Sequence, residues 1–130
     1  PAMTCCELKA HIIRFDARRE SFFDEGCFIN ELNNSPDDAA VSMAQARVAP
    51  GTTTRWHRLQ DVTERYVILT GIGLMEVGDL PPQEVHPGDT VIIPPLCRQR
   101  ITNPGDADLV FLAICSPRFV PECYEDLEAQ

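Results

Sequence analysis

Short segments rich in Val, Ile, Phe and Thr follow one another along the chain, too short and too closely spaced for anything but strands. They run over His11–Phe15, Phe22–Glu31, Val41–Val48, Thr52–Leu59, Glu64–Leu69, Gly73–Val77, Thr90–Ile93, Arg98–Ile101 and Leu109–Cys115. Turn signals separate them: Asn33-Asn34-Ser35-Pro36-Asp37, Pro50-Gly51, Pro81-Pro82, Pro87-Gly88-Asp89 and Asn103-Pro104-Gly105-Asp106. Many strands with tight reversals mean an all-β sandwich or barrel. Helical periodicity is confined to the acidic stretch Glu122–Ala129 after Pro121, where one short helix fits.

At 130 residues the chain forms one domain, 1–130, long enough to bury about two-thirds of its unfolded surface without metal or disulfide staples. No internal repeat appears. A net charge of -9 argues against a grip on nucleic acid or an anionic membrane surface. No apolar run approaches the roughly 18 residues that span a bilayer, and the first ten residues lack a signal-peptide profile, so a cytoplasmic location is expected. Pro1-Ala2-Met3 reads as a vector remnant ahead of a start at Met3. The six cysteines (Cys5, Cys6, Cys27, Cys97, Cys115 and Cys123) lack CxxC spacing and read as reduced, packed thiols.

Alternation decides which side chains meet inside such a barrel, because residues i and i+2 of a strand share a face. If His57 points inward, Arg55 and Leu59 follow. Glu64, Tyr66 and Ile68 share one face, and so do Cys97, Gln99 and Ile101. The interior then holds His57, Glu64, Gln99, Arg55, Tyr66 and Cys97 in an otherwise aliphatic lining, the usual composition of a ligand pocket. The same parity places Arg58, Arg65, Arg98 and Arg100 outside. His11 and His86 have no partner by spacing.

The stretch GTTTRWHRLQDVTERYVILTG, residues 51–71, resembles the first motif of the cupin family, G-x5-H-x-H-x4-E-x6-G, with Gly51, His57, Glu64 and Gly71 in register. GDTVIIPPLCRQRITN, residues 88–103, resembles the second, G-x5-P-x-G-x2-H-x3-N, with Gly88, Pro94 and Asn103 in register. The resemblance implies a single cupin jelly-roll β-barrel of two packed antiparallel sheets with a short C-terminal tail. It also implies a divalent metal (Zn, Mn, Ni or Fe) held by His57, Glu64 and Gln99. Leu59 and Gln99 replace two of the family's histidines, which leaves a thin donor set.

Each of these residues has a plainer reading. His57 and Glu64 can be a hydrogen-bonded pair that fills the barrel, and Gln99 an amide that satisfies its neighbours. Arg55 can fork onto the carboxylate or phosphate of a ligand, or pair with an internal acid. Tyr66 can donate to a ligand or satisfy its hydroxyl within the core. Cys97 can touch substrate or be a packed thiol.

Three functions fit. One is a metal-dependent enzyme acting on a small carboxylate or sugar-like metabolite by isomerase, lyase or dioxygenase chemistry, with His57, Glu64 and Tyr66 catalytic and Arg55, Gln99 and Cys97 binding the substrate. Another is a metal-free barrel that binds or senses a metabolite. The third is a metal-free His57/Glu64 acid–base enzyme. A homodimer is expected, with Phe22–Glu31 and the outward Trp56 as contacts.

Overall fold

In the computed structural model, residues 8–128 are described; Pro1–Met3, Cys5, Cys6 and Ala129 lie outside them. The chain folds into two antiparallel sheets that close on each other. The strands are β1 Ser21–Phe23, β2 Cys27–Asn33, β3 Ser42–Val48, β4 His57–Leu59, β5 Thr63–Thr70, β6 Gly73–Val77, β7 Gln83–Val85, β8 Thr90–Ile93, β9 Gln99–Thr102, β10 Leu109–Ser116 and β11 Tyr124–Asp126. One sheet has the order β1-β2-β3-β10-β5-β8 and the other β11-β4-β9-β6-β7. The helices among the described residues are single 3-10 turns, and none is long and apolar enough to cross a membrane.

Alternation is realised strand by strand. On β5, Glu64, Tyr66 and Ile68 are buried while Thr63, Arg65 and Val67 are less so; on β9, Gln99 and Ile101 are buried; on β4, His57 and Leu59. Between the sheets lies a core containing Val48, Ile68, Val91, Ile93, Ile101 and Leu109. A second cluster, Leu59, Val62, Cys115 and Cys123, packs the C-terminal segment onto the barrel. Gly71 turns β5 into β6 at φ +85°, and a Cβ there would lie 2.7 Å from the Asp108 carbonyl oxygen, so only glycine fits.

Several local expectations fail for identifiable reasons. His11–Phe15 forms no strand: its apolar residues Ile12 and Phe15 stay exposed and no neighbouring strand receives its backbone. Phe22–Glu31 is a hairpin, broken where Gly26 takes φ +108°. Only the last three residues of Thr52–Leu59 are a strand, with an isolated bridge from Thr53 to Thr102. The acidic tail is not helical. It makes a 3-10 turn at Pro121–Cys123 and then pairs as β11 with β4, because its acids meet Arg55 and Arg58 there. Among the described cysteines, Cys27, Cys97, Cys115 and Cys123 are free thiols, as expected.

Candidate functional site

The two sheets contribute facing groups to one end of the interior. His57 on β4 lies in register with Gln99 on β9, and Glu64 and Tyr66 reach across from β5. Gln99 is fully buried, and Glu64 retains 8% exposure. The Tyr66 hydroxyl donates to Gln99 Oε1 at 2.7 Å, and Gln99 Nε2 donates to Glu64 Oε1 at 2.8 Å. The Cys115 thiol points at Glu64 Oε2 from 3.8 Å. Tyrosine, amide and carboxyl therefore form one chain in which the glutamine relays the orientation of its neighbours.

His57 does not join that chain. Its Nδ1 lies 2.7 Å from the Arg55 carbonyl, an acceptor only, so Nδ1 carries the hydrogen and Nε2 is left as the basic nitrogen. That Nε2 sits 3.8 Å from Glu25 Oε2, beyond hydrogen-bond length. Tyr124 of β11 stacks on the imidazole, with centroids 5.1 Å apart, and Phe23 meets Tyr124 edge-on.

Glu25 is the residue that motif reading misses. It occupies the β1–β2 turn, and its carbonyl accepts from the Arg55 backbone N–H at 2.8 Å, which fixes the turn beside His57. The available signal was parity: Phe23, Glu25 and Cys27 share a face in an alternating segment, which puts an acid between two residues that turn inward.

Burial governs the ionisation of this cluster. Desolvation pushes Glu64 up to about 7, opposed by the Gln99 hydrogen bond, and pushes Glu25 up to about 7. Desolvation also holds His57 below the ordinary imidazole value, partly offset by the Arg55 carbonyl. Tyr66 is driven upward by burial and then by the charge of Glu64. Both carboxyls are thus raised into the range of groups that exchange protons near neutrality.

Glu25, Glu64 and Tyr66 open onto a cavity of about 610 Å³, walled by Phe23, Phe111 and Phe119 and by small residues such as Ala44 and Ala113. A second cavity of about 490 Å³ shares Phe23, Glu25 and Phe119 with it and adds Arg55, Tyr124 and Asp126.

Two expected residues stand elsewhere. Arg55 precedes β4 and lies at the rim, bonded to Asp126 at 3.1 Å and donating to the Glu128 carbonyl, so it does not face the barrel interior. Cys97 also precedes its strand, which starts at Gln99, and it packs beside Gly78, away from the cavity. Strand parity reaches neither residue, because β4 begins at His57 and β9 at Gln99. The outer arginines lie as expected: Arg58 pairs with Glu125, Arg100 pairs with Glu76, and Arg98 and Arg100 clamp the Trp56 ring.

The donors expected for a divalent metal lie together but are turned to other partners. Gln99 has its oxygen on Tyr66 and its nitrogen on Glu64, and His57 Nε2 faces Glu25. Among the described residues no three of His, Cys, Asp and Glu are grouped to hold an ion.

Residues 44–115 match the model of the Cupin domain family. An uncharacterized protein of Methanocaldococcus jannaschii is 34% identical over 116 residues, 88% of this chain and 92% of the relative. A Cupin 2 conserved barrel domain protein from Salinispora arenicola superposes with a TM-score of 0.71 at 26% identity, over 83% of this chain and 90% of that one. A predicted oxalate decarboxylase from Thermotoga maritima superposes with a TM-score of 0.63 at 24% identity, over 70% of this chain and 80% of that one.

Proposed function

The chain belongs to the cupin family, and from that premise we propose that it is a small-molecule enzyme of the isomerase or lyase type, moving a proton on a guest held in the barrel cavity. The observation that carries this reading is the Glu64 carboxyl: it faces the cavity, is oriented by the Gln99–Tyr66 chain, and is raised by burial to about 7. A carboxyl so placed accepts a proton at neutral pH and returns it as an acid of similar strength. Glu25, across the same cavity, is the second acid–base group, on a turn fixed by the Arg55 N–H, with the basic Nε2 of His57 3.8 Å from its carboxyl. Isomerisation moves a proton from one atom to another, and elimination removes a proton from carbon while the leaving group departs with its bonding electrons and takes up a proton; in either case two such groups supply the base and the acid. That a structurally similar chain is a predicted oxalate decarboxylase agrees with chemistry inside this kind of barrel and goes no further.

A divalent ion held by His57, Glu64 and Gln99, as the family resemblance implies, would need Gln99 to turn its oxygen away from Tyr66. The donor arrangement does not fit the ion, and no step is routed through one. Metal analysis of purified wild type and His57→Ala checks this point: stoichiometric metal lost in the variant would restore the metal-dependent reading.

The alternative of a binding or sensing barrel without catalysis has one observation in its favour. Every buried side-chain nitrogen and oxygen among the described residues has a hydrogen-bond partner, so the site is self-satisfied. Proton exchange separates the two. In D2O, a panel of metabolites is followed by NMR with wild type, Glu64→Gln and Glu25→Gln. Deuterium incorporation or conversion that requires Glu64 supports the enzyme, whereas a bound guest that never exchanges, or equal activity in Glu64→Gln, removes it. Homodimerisation is also part of the proposal: Phe22 on the edge strand β1 is 60% exposed, and sedimentation of wild type against Phe22→Ser tests it.

A further inference from the structure

The cavity that the proposed function relies on also constrains its guest. We infer that the guest is a neutral or cationic molecule with a flat apolar body and a hydroxyl or amine donor at its inner end, and not a carboxylate or phosphate. This rests on the reading of the cavity as the guest's site, but it does not need the proton transfer.

The first ground is what lies at the inner end. Glu25 and Glu64 are both buried, and each is an oxygen acceptor in every protonation state. The lining residues include one cation, Arg19, which is solvent-exposed and so screened. Arg55, which lines the adjoining cavity, is occupied by Asp126 and the Glu128 carbonyl. An anion entering this space would lose its hydration and gain no buried counter-charge, whereas a hydroxyl or ammonium would meet carboxyl oxygens.

The second ground is shape. Three phenyl rings, Phe23, Phe111 and Phe119, line the walls. Ala44 and Ala113 face each other as a cross-strand pair on β3 and β10, and their short side chains leave the central sheet open where larger residues would fill the space. Aromatic side chains beside a floor of short ones suit a ring-bearing body better than a polyhydroxylated one. The volume of about 610 Å³ is ample for a two-ring body with substituents.

Calorimetric titration with three probes on one ring system tests the inference: 2-naphthol, 2-naphthylmethylammonium and 2-naphthoate. The expected result is that the alcohol or the ammonium binds at least about tenfold more tightly than the carboxylate, equivalent to about 1.4 kcal/mol. Ala113→Leu and, on the other strand, Ala44→Leu, each confirmed as folded by circular dichroism, weaken the tighter probe by at least about tenfold. Naphthoate binding as tightly as the other two, or binding unchanged in both leucine variants, overturns the inference. Failure of all three probes overturns it together with the cavity reading. Discriminating binding without deuterium exchange on any guest sinks the proton-transfer function alone and leaves the guest class standing.

Discussion

Along β5, Glu64 and Tyr66 face the cavity, while two residues further on Ile68 faces Leu109, Ile101 and Val48 in a solid aliphatic plug. The strand, the alternation and the two sheets are the same at both ends of the barrel. The plugged end is tight enough that a Cβ on Gly73 would fall 2.9 Å from Ile101 and 3.2 Å from Leu109, and those residues have no exposed surface. The open end spends its buried positions on an acid, an amide and a phenol. The difference shows a division of labour: one end supplies the folding free energy that lets the other keep desolvated polar groups and empty space.

The largest effect expected from this contrast is at the plug. Leu109→Ala deletes a side chain packed from all sides and should cost about 2–5 kcal/mol in a denaturant melt. Glu64→Gln at the other end should leave stability equal or higher while abolishing turnover. A Glu64→Gln penalty as large as that of Leu109→Ala would mean that the polar end also carries the fold, and the division would collapse.

The next effect is pH dependence, which belongs to the open end alone. Glu25 and Glu64 titrate near 4.5 when unfolded and about 7 when folded, so the native state binds more protons between those values. Their protonated forms favour folding fully below about pH 4.5, and that contribution is lost as pH rises through about 7, by up to roughly 3 kcal/mol for each carboxyl. Thermal melts at pH 5 and 8 should show the fall in wild type and a flatter profile in Glu64→Gln. Stability that stays flat over this interval would place both carboxyls in a solvated setting.

Asn103 sharpens the contrast from the plugged side. It is the second motif's asparagine, and its fully buried amide donates to the Val48 and Ala107 carbonyls at 2.8 Å while its oxygen accepts from the Gly105 N–H. Asn103→Ala should therefore cost roughly 1–3 kcal/mol by orphaning buried carbonyls, and it should not change the pH profile. At the open end, Tyr66→Phe removes one hydrogen bond to Gln99 and should cost about 1 kcal/mol.

Much of this was legible in the sequence, and the reasons differ by residue. Glycine, proline and asparagine positions carry backbone requirements that hold wherever the chain folds this way: Gly71 at its close approach and Asn103 in its loop are examples. Glu64, Tyr66 and Gln99 were legible because each lies within a strand, where parity is strict. Arg55 and Cys97 were misplaced because parity was extended into the irregular approaches to β4 and β9. Glu25 has no motif, and it reaches the site only because a turn distant in the chain folds over β4. The C-terminal strand depends on ion pairs whose partners lie 67 and 71 residues away, a separation no local pattern registers.

The smallest effect concerns Leu96, in the turn that leads into Gln99. It holds φ +65° and stands where the second motif carries glycine, yet its side chain is 54% exposed, so little packing compensates the conformation. Its N–H donates to the Leu59 carbonyl at 2.8 Å, which ties the turn to β4 and so helps set the register of Gln99 against His57. A left-handed leucine costs roughly 1–2 kcal/mol, and glycine returns about 0.5–1 kcal/mol of that to the unfolded chain as entropy. Leu96→Gly should therefore stabilise the protein by about 1 kcal/mol or less, with the hydrogen bond to Leu59 retained. A clear loss of stability instead would show that the exposed leucine packs against something outside the single chain, and the open end would then be completed by a partner and not by this barrel alone.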